Sequence, residues 1–192
     1  WPKPRGHGHG PWPKPQVPKP SPLSHVPRRY SRYGHDPFLI RQALHSLKPV
    51  PDVVLIGTGM TYWYPGAVAT ASMVRDVWPH TLIVAGGMYA TLCPQHARKM
   101  DCFDLVLSGP LEGEDNWQAL WSALQTSPPP LPEDSGLALA LDAYPNPEFS
   151  VLMGSRGCPY ACAYCATSVL HSGFTQKQAS KIIAETDSEV ER

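Results

Sequence analysis

Cys158, Cys162 and Cys165 lie in one short segment, Gly154-Ser-Arg-Gly-Cys-Pro-Tyr-Ala-Cys-Ala-Tyr-Cys-Ala166, with the spacing C-x3-C-x2-C. Three thiols this close in sequence can converge on one metal centre, and with five Cys in 192 residues such a triplet is seldom an accident of composition. A structural zinc site takes four ligands, usually as two pairs well apart in the chain. A ferredoxin-type cluster also takes four thiolates. Three thiolates with no evident fourth point instead to a cubane iron–sulfur cluster with one iron left open. An open iron suits a cluster that binds and reduces a small molecule rather than only passing electrons. The plain alternative is a set of free thiols or adventitious metal.

Tyr164, just before the third Cys, sharpens the pattern. With it, the segment resembles the cluster loop of the radical S-adenosylmethionine superfamily. The resemblance implies that Cys158, Cys162 and Cys165 hold three irons of a 4Fe-4S cluster, while S-adenosylmethionine chelates the fourth. One electron from the cluster then cleaves the sulfonium and releases a 5′-deoxyadenosyl radical, which takes hydrogen from a substrate of unknown identity. Tyr164 would pack near the adenine. A low-potential electron donor such as flavodoxin or ferredoxin is implied as a partner. In such systems the cofactor carries the chemistry, and the protein supplies position, a dry site and a tuned potential.

The flanking sequence offers a frame for that loop. Glu148 to Met153 is a short apolar run that reads as a buried strand leading into the cysteine segment. Downstream, Thr175-Gln-Lys-Gln178 has the form of a capping box. Ala179, Ile182, Ile183 and Val190 follow near helical spacing, which predicts a helix of about four turns. Strand, loop and helix together read as the first β/α unit of a TIM-type barrel, whose functional residues lie on the loop after each strand. Gly154 and Gly157 allow close backbone approach, and Arg156 reads as a solvated surface cation ahead of the alternatives, a packing cation or a helper to the cluster.

Upstream, alternating strands and helices predict a doubly wound parallel, Rossmann-like α/β sheet. Asp52 to Gly57 reads as a fully buried strand, and Thr81 to Ala85 and Phe103 to Ser108 as two more. Gly66 to Trp78 and a segment around Trp117, Leu120, Trp121 and Leu124 read as helices, with a short helical stretch near Pro94 to Met100. Ligands of such a sheet sit beyond the carboxyl ends of the strands, here residues 57–63, 86–92 and 109–114.

These three loops resemble those of the cobalamin-binding-like domain that precedes the barrel in one branch of radical S-adenosylmethionine enzymes. The resemblance implies cobalamin as a second cofactor, with Gly59, Thr61, Gly86 and Gly87 lining its site. The Asp-x-His-x-x-Gly pattern that ligates cobalt is absent from the sequence, so none of the eight His inherits an axial-ligand role. His96 reads as a helix-surface residue. Tyr62, Trp63, Tyr64 and Tyr89 offer either a platform for a flat ligand or an apolar seam. Glu112 and Glu114 read as first-turn acids, and Cys93 and Cys102 as ordinary buried thiols.

Most of the 23 Pro fall before residue 35 or in the segment around 127–135. The division expected from composition is a Pro-rich arm over 1–49, the cobalamin-binding-like domain over 50–126, a Pro-rich linker over 127–147 and the start of the radical domain over 148–192. His7 and His9 in the arm read as solvated. With 16 basic and 16 acidic residues there is no electrostatic footprint for nucleic acid. No apolar run is long enough for a membrane span, and a cytoplasmic, reducing setting suits three committed thiols. The chain is expected to be a fragment of a longer protein, inactive alone. Two function classes follow: a radical enzyme, or a corrinoid-binding or iron–sulfur electron-transfer module without radical catalysis.

Overall fold

The computed structural model describes residues 14–131 and 151–190. They fall into two compact units, one ending at Ser46 and one beginning at Leu47.

The first unit carries some regular structure within the Pro-rich arm. Gln16 and Ser31 form an antiparallel bridge, flanked by the Val17 N–H to Tyr30 O and Arg32 N–H to Pro15 O bonds, both 3.0 Å. A 3-10 turn at Ser21–Leu23 lies between the two segments. A helix, α1 (Pro37–Ser46), follows. Its start is local chemistry: the Asp36 carboxylate accepts the Phe38 N–H at 2.9 Å, and Pro37 occupies the first turn, where its missing N–H costs nothing. Asp36-Pro37 was therefore a helix signal inside a Pro-rich stretch.

The second unit opens with β1 (Val53–Thr58), a 3-10 turn (Thr61–Trp63) and α2 (Tyr64–Val77). Next come β2 (Leu82–Gly86), α3 (Gly87–Leu92), α4 (Pro94–Ala97), β3 (Leu105–Val106) and α5 (Glu114–Ala123). The strands form a parallel sheet in the order β1-β2-β3, with Val53 opposite Leu82 and Val84 opposite Leu105. No reversal of strand order occurs among the described strands. The doubly wound expectation thus reduces to a three-stranded parallel α/β sheet of Rossmann-like kind.

Alternation along β2 explains why both its faces are apolar. Val84 is buried with Leu107 and with Leu120 of α5, while Leu82, Val53, Leu105 and Leu124 pack around them. Ile83 and Ala85, on the opposite face, are also buried, as are Ala71 and Val74 of α2, which packs against β1 and β2. Among the described strands only β2 has neighbours on both sides. The fully buried reading of β1 is corrected: it is an edge strand of the described sheet, and Leu55 stays 52% exposed. The third strand is also shorter than the apolar run 103–108, because β2 pairs with it at only two positions.

Around the cysteines, β4 (Ser155–Arg156) pairs antiparallel with β5 (Thr175–Gln176), enclosing α6 (Thr167–Leu170), and α7 (Ala179–Val190) follows. The expected strand at 148–153 is corrected where it is described. Residues 151–153 form no strand, and Val151 is 55% exposed. Pairing starts only at Ser155, where Thr175 and Gln176 supply a partner. Residues 148–150 lie outside the described chain. The capping box is corrected too, since Thr175 is spent on the β4–β5 ladder and α7 begins four residues later, at Ala179. No helix among the described residues is long and apolar enough to cross a membrane.

Candidate functional site

The carboxyl end of the sheet is built around close backbone approach. β1 ends at Thr58, which bridges to Gly87 at the start of α3. Gly87 has φ +79°, and a Cβ there would stand 2.7 Å from both the Thr58 N and O. Gly86 precedes α3 as its N-cap and has no side chain to offer the first-turn amides. The Thr58 hydroxyl takes that role from the neighbouring strand, accepting the Tyr89 N–H at 3.1 Å. Farther along, the Thr91 hydroxyl accepts the Gly109 N–H at 2.9 Å, which ties α3 to the end of β3.

Of the residues assigned to a cofactor here, Gly86 has open space where a Cβ would lie, whereas Gly87 is required by the fold itself. Gly59 admits the Trp63 ring, which would lie 3.2 Å from a Cβ, and Thr61 opens the 3-10 turn. The four aromatics separate into two pairs. Tyr64 stacks on Tyr89 with centroids 5.4 Å apart, and the Tyr89 hydroxyl shares a 2.6 Å hydrogen bond with His96 Nδ1. Burial, then the neighbouring Tyr64, Cys93 and Cys102, push the Tyr89 hydroxyl pKa up. Tyr62 and Trp63 meet edge to face and remain exposed, with Met60 and Met88 exposed beside the same strand ends. His96 is exposed as expected, but its ring is engaged with Tyr89 and Tyr64. Cys93 and Cys102 are half-buried, and burial raises the Cys102 pKa.

The cysteine segment is a different surface. Cys158, Cys162 and Cys165 are free and exposed, and Tyr164 is 93% exposed. Cys165 N–H bonds to Cys162 O at 3.0 Å, so the last two cysteines share a turn. The Thr167 hydroxyl lies 3.1 Å from the Cys165 sulfur, and with the Thr167 backbone it holds that thiol below its usual pKa. Among the described residues no three Cys, His, Asp or Glu side chains are gathered as a metal-binding group. In kind, the donor set fits a thiolate-held cluster, with three unpaired sulfurs on one loop and none spent on packing.

Where the chain enters this loop it is held firmly. Gly157 has φ +82°, and a Cβ there would fall 1.9 Å from the Gly173 carbonyl oxygen. Arg156 is not a solvated cation. Its Nη1 donates to Glu112 Oε1 at 2.8 Å and its Nε to His171 Nδ1 at 3.3 Å. Glu112 in turn is no first-turn acid, since α5 begins at Glu114. Burial would raise the Glu112 pKa, but its backbone hydrogen bond and Arg156 outweigh that and hold the carboxyl below its usual value.

Two curated proteins align with part of this chain. An uncharacterized methyltransferase of Pyrococcus horikoshii is 27% identical over 150 residues, covering 62% of this chain and 32% of that protein. The ribosomal protein uS12 methylthiotransferase RimO of Streptomyces griseus is 30% identical over 114 residues, covering 54% of this chain and 22% of that protein. The chain thus spans about a third or less of the length of these relatives. No protein-family model matches it, and neither does any solved structure. Both relatives are, by name, group-transfer enzymes for methyl or methylthio groups, and an enzyme of related ancestry is the coarse reading they support.

Sequence reasoning missed Thr58, Thr167 and the Glu112–Arg156 pair. Thr58 had a signal, a hydroxyl between two glycines at the end of an apolar strand, and Thr167 stands two residues after a cysteine. Glu112 and Arg156 are 44 positions apart and carried no local sign.

Proposed function

We propose that this chain contributes the cluster loop and a ligand-binding sheet to a radical S-adenosylmethionine enzyme of the methyl- or methylthio-transferring kind. One observation carries the reading: the three cysteines of the C-x3-C-x2-C segment are all free, exposed and on one loop. The names of the two relatives agree with it. A bound 4Fe-4S cluster with S-adenosylmethionine supplies one-electron cleavage of the sulfonium. The chain's own residues hold and orient. Cys158, Cys162 and Cys165 bind iron as thiolates, and Thr167 favours the thiolate at Cys165. Tyr164, 93% exposed, would be available to cover the adenine. In an enzyme of this kind a surrounding barrel would exclude water from the reacting groups; the described residues around the loop form the β4–β5 hairpin and α7.

A second reading concerns the sheet. Exposed Met60, Tyr62, Trp63 and Met88 at the strand ends favour a flat, largely apolar ligand there, and a corrinoid bound without a protein imidazole on cobalt is the finer proposal. The test of the main reading is spectroscopic. After anaerobic loading with iron and sulfide and reduction with dithionite, S-adenosylmethionine should change the paramagnetic spectrum of the chain. A spectrum indifferent to S-adenosylmethionine would favour an electron-transfer module instead.

A further inference from the structure

We infer that Glu112 is a positioning residue for the cysteine loop, acting through Arg156, and that it locks the loop to the carboxyl end of the parallel sheet. The inference rests on the proposed role of that loop in binding a cluster. Arg156 stands two residues before Cys158, in register with Thr175 on the β4–β5 ladder. Between them Gly157 lies against the Gly173 carbonyl so closely that no side chain fits. The backbone has little freedom from Arg156 to the first thiol, so whatever fixes Arg156 fixes where the loop begins.

Glu112 is itself braced. It sits on the turn after β3, where the Gly113 N–H bonds to Pro110 O at 3.2 Å. The Asn116 side-chain amide, from the first turn of α5, donates to Pro110 O at 2.8 Å and to Ser108 O at 2.9 Å. The constrained turn fixes the backbone from which the Glu112 carboxylate reaches the Arg156 guanidinium, at 2.8 Å. The far end of the loop is tied to the same region, because α6 packs on α3, the helix anchored by Thr58. The loop therefore spans two attachments on the sheet's carboxyl end, one ionic and one packed. An ion pair about one-third exposed adds little to global stability. Its value lies in placement: a ligand over the strand ends and a group held by the cysteines would sit on a single body.

Hydrogen exchange and paramagnetic spectra of the full 192-residue chain distinguish placement from mere stability. Glu112→Gln and Arg156→Gln should each speed exchange of the loop amides by about tenfold while the urea midpoint stays near wild type. Arg156→Lys, which keeps the charge within reach of Glu112, should restore slow exchange. After loading with iron and sulfide, the Gln variants should show an altered, broadened cluster spectrum, and Arg156→Lys a near-native one. Wild-type exchange in both Gln variants overturns the inference, as does faster exchange with an unchanged cluster spectrum. Failure of the wild type to take up iron would remove the cluster reading alone. Exchange would then decide the link, with faster loop exchange in the Gln variants and its rescue by Lys supporting it.

Discussion

The carboxyl end of the parallel sheet and the cysteine loop are neighbours in one unit, yet they are built on opposite terms. At the sheet end, polar groups are consumed by the fold: Thr58 caps α3, Thr91 holds Gly109, and Tyr89 is buried against Tyr64 and His96. In the cysteine loop the reactive groups are left over, with three free thiols and the Tyr164 ring facing solvent. The first region spends its polar groups on itself and leaves apolar side chains, Met60, Tyr62, Trp63 and Met88, exposed. The second presents more donors than its own structure uses, which is what the proposed cluster-binding role requires.

The sharpest way to break this contrast is at Gly87 and Gly157, two glycines of positive φ where an added Cβ would collide with backbone. Gly87→Ala drives a Cβ into the Thr58 backbone in the buried region and should lower unfolding free energy by about 2–4 kcal/mol in urea titrations. Gly157→Ala meets an even closer carbonyl but in the peripheral hairpin. Its cost should appear as loss of iron uptake, with a smaller fall in global stability. Equal global destabilisation by both would show that the cysteine hairpin belongs to the core. Thr58→Val comes next, because it leaves the Tyr89 N–H without its acceptor in a buried setting, at a cost of about 1–3 kcal/mol.

The link between the regions has a pH signature. The folded pKa of Glu112 is depressed, so its pairing with Arg156 contributes at neutral pH and is lost as pH falls through that depressed value. Stability should fall more steeply on the acid side in wild type than in Glu112→Gln, by less than about 1 kcal/mol given the exposure of the pair. Parallel acid profiles would mean that the contact is not formed in solution. At the small end of the scale, replacing all three cysteines of the loop by Ala should leave urea unfolding within about 0.5 kcal/mol of wild type, since none is buried.

What could be read from sequence follows the same division. The helices of the sheet region were legible because apolar spacing at 3.6 residues survives into packing, as with Leu120 and Leu124 beside Val84. Strand positions were legible too, but not their surroundings: Val53 to Ile56 looks as apolar as β2 and became an edge, because burial depends on which strands pair beside it. The 151–153 run failed as a strand for the same reason, having no described partner at that register. The cysteines were visible by type and spacing, but their convergence was not, and the ionic link from Glu112 to Arg156 crosses 44 positions without any periodic trace. Local chemistry is written in neighbouring residues. Attachment is not.

The central claim is that Cys158, Cys162 and Cys165 together hold one iron–sulfur cluster. Anaerobic reconstitution of the chain, followed by iron and sulfide analysis, tests it most directly. The expected result is about four iron and four sulfide per wild-type chain, near zero for Cys158→Ala, Cys162→Ala or Cys165→Ala, and wild-type content for Cys93→Ala and Cys102→Ala. Full cluster content in the Cys162→Ala protein, or loss of it in Cys102→Ala, would contradict the assignment.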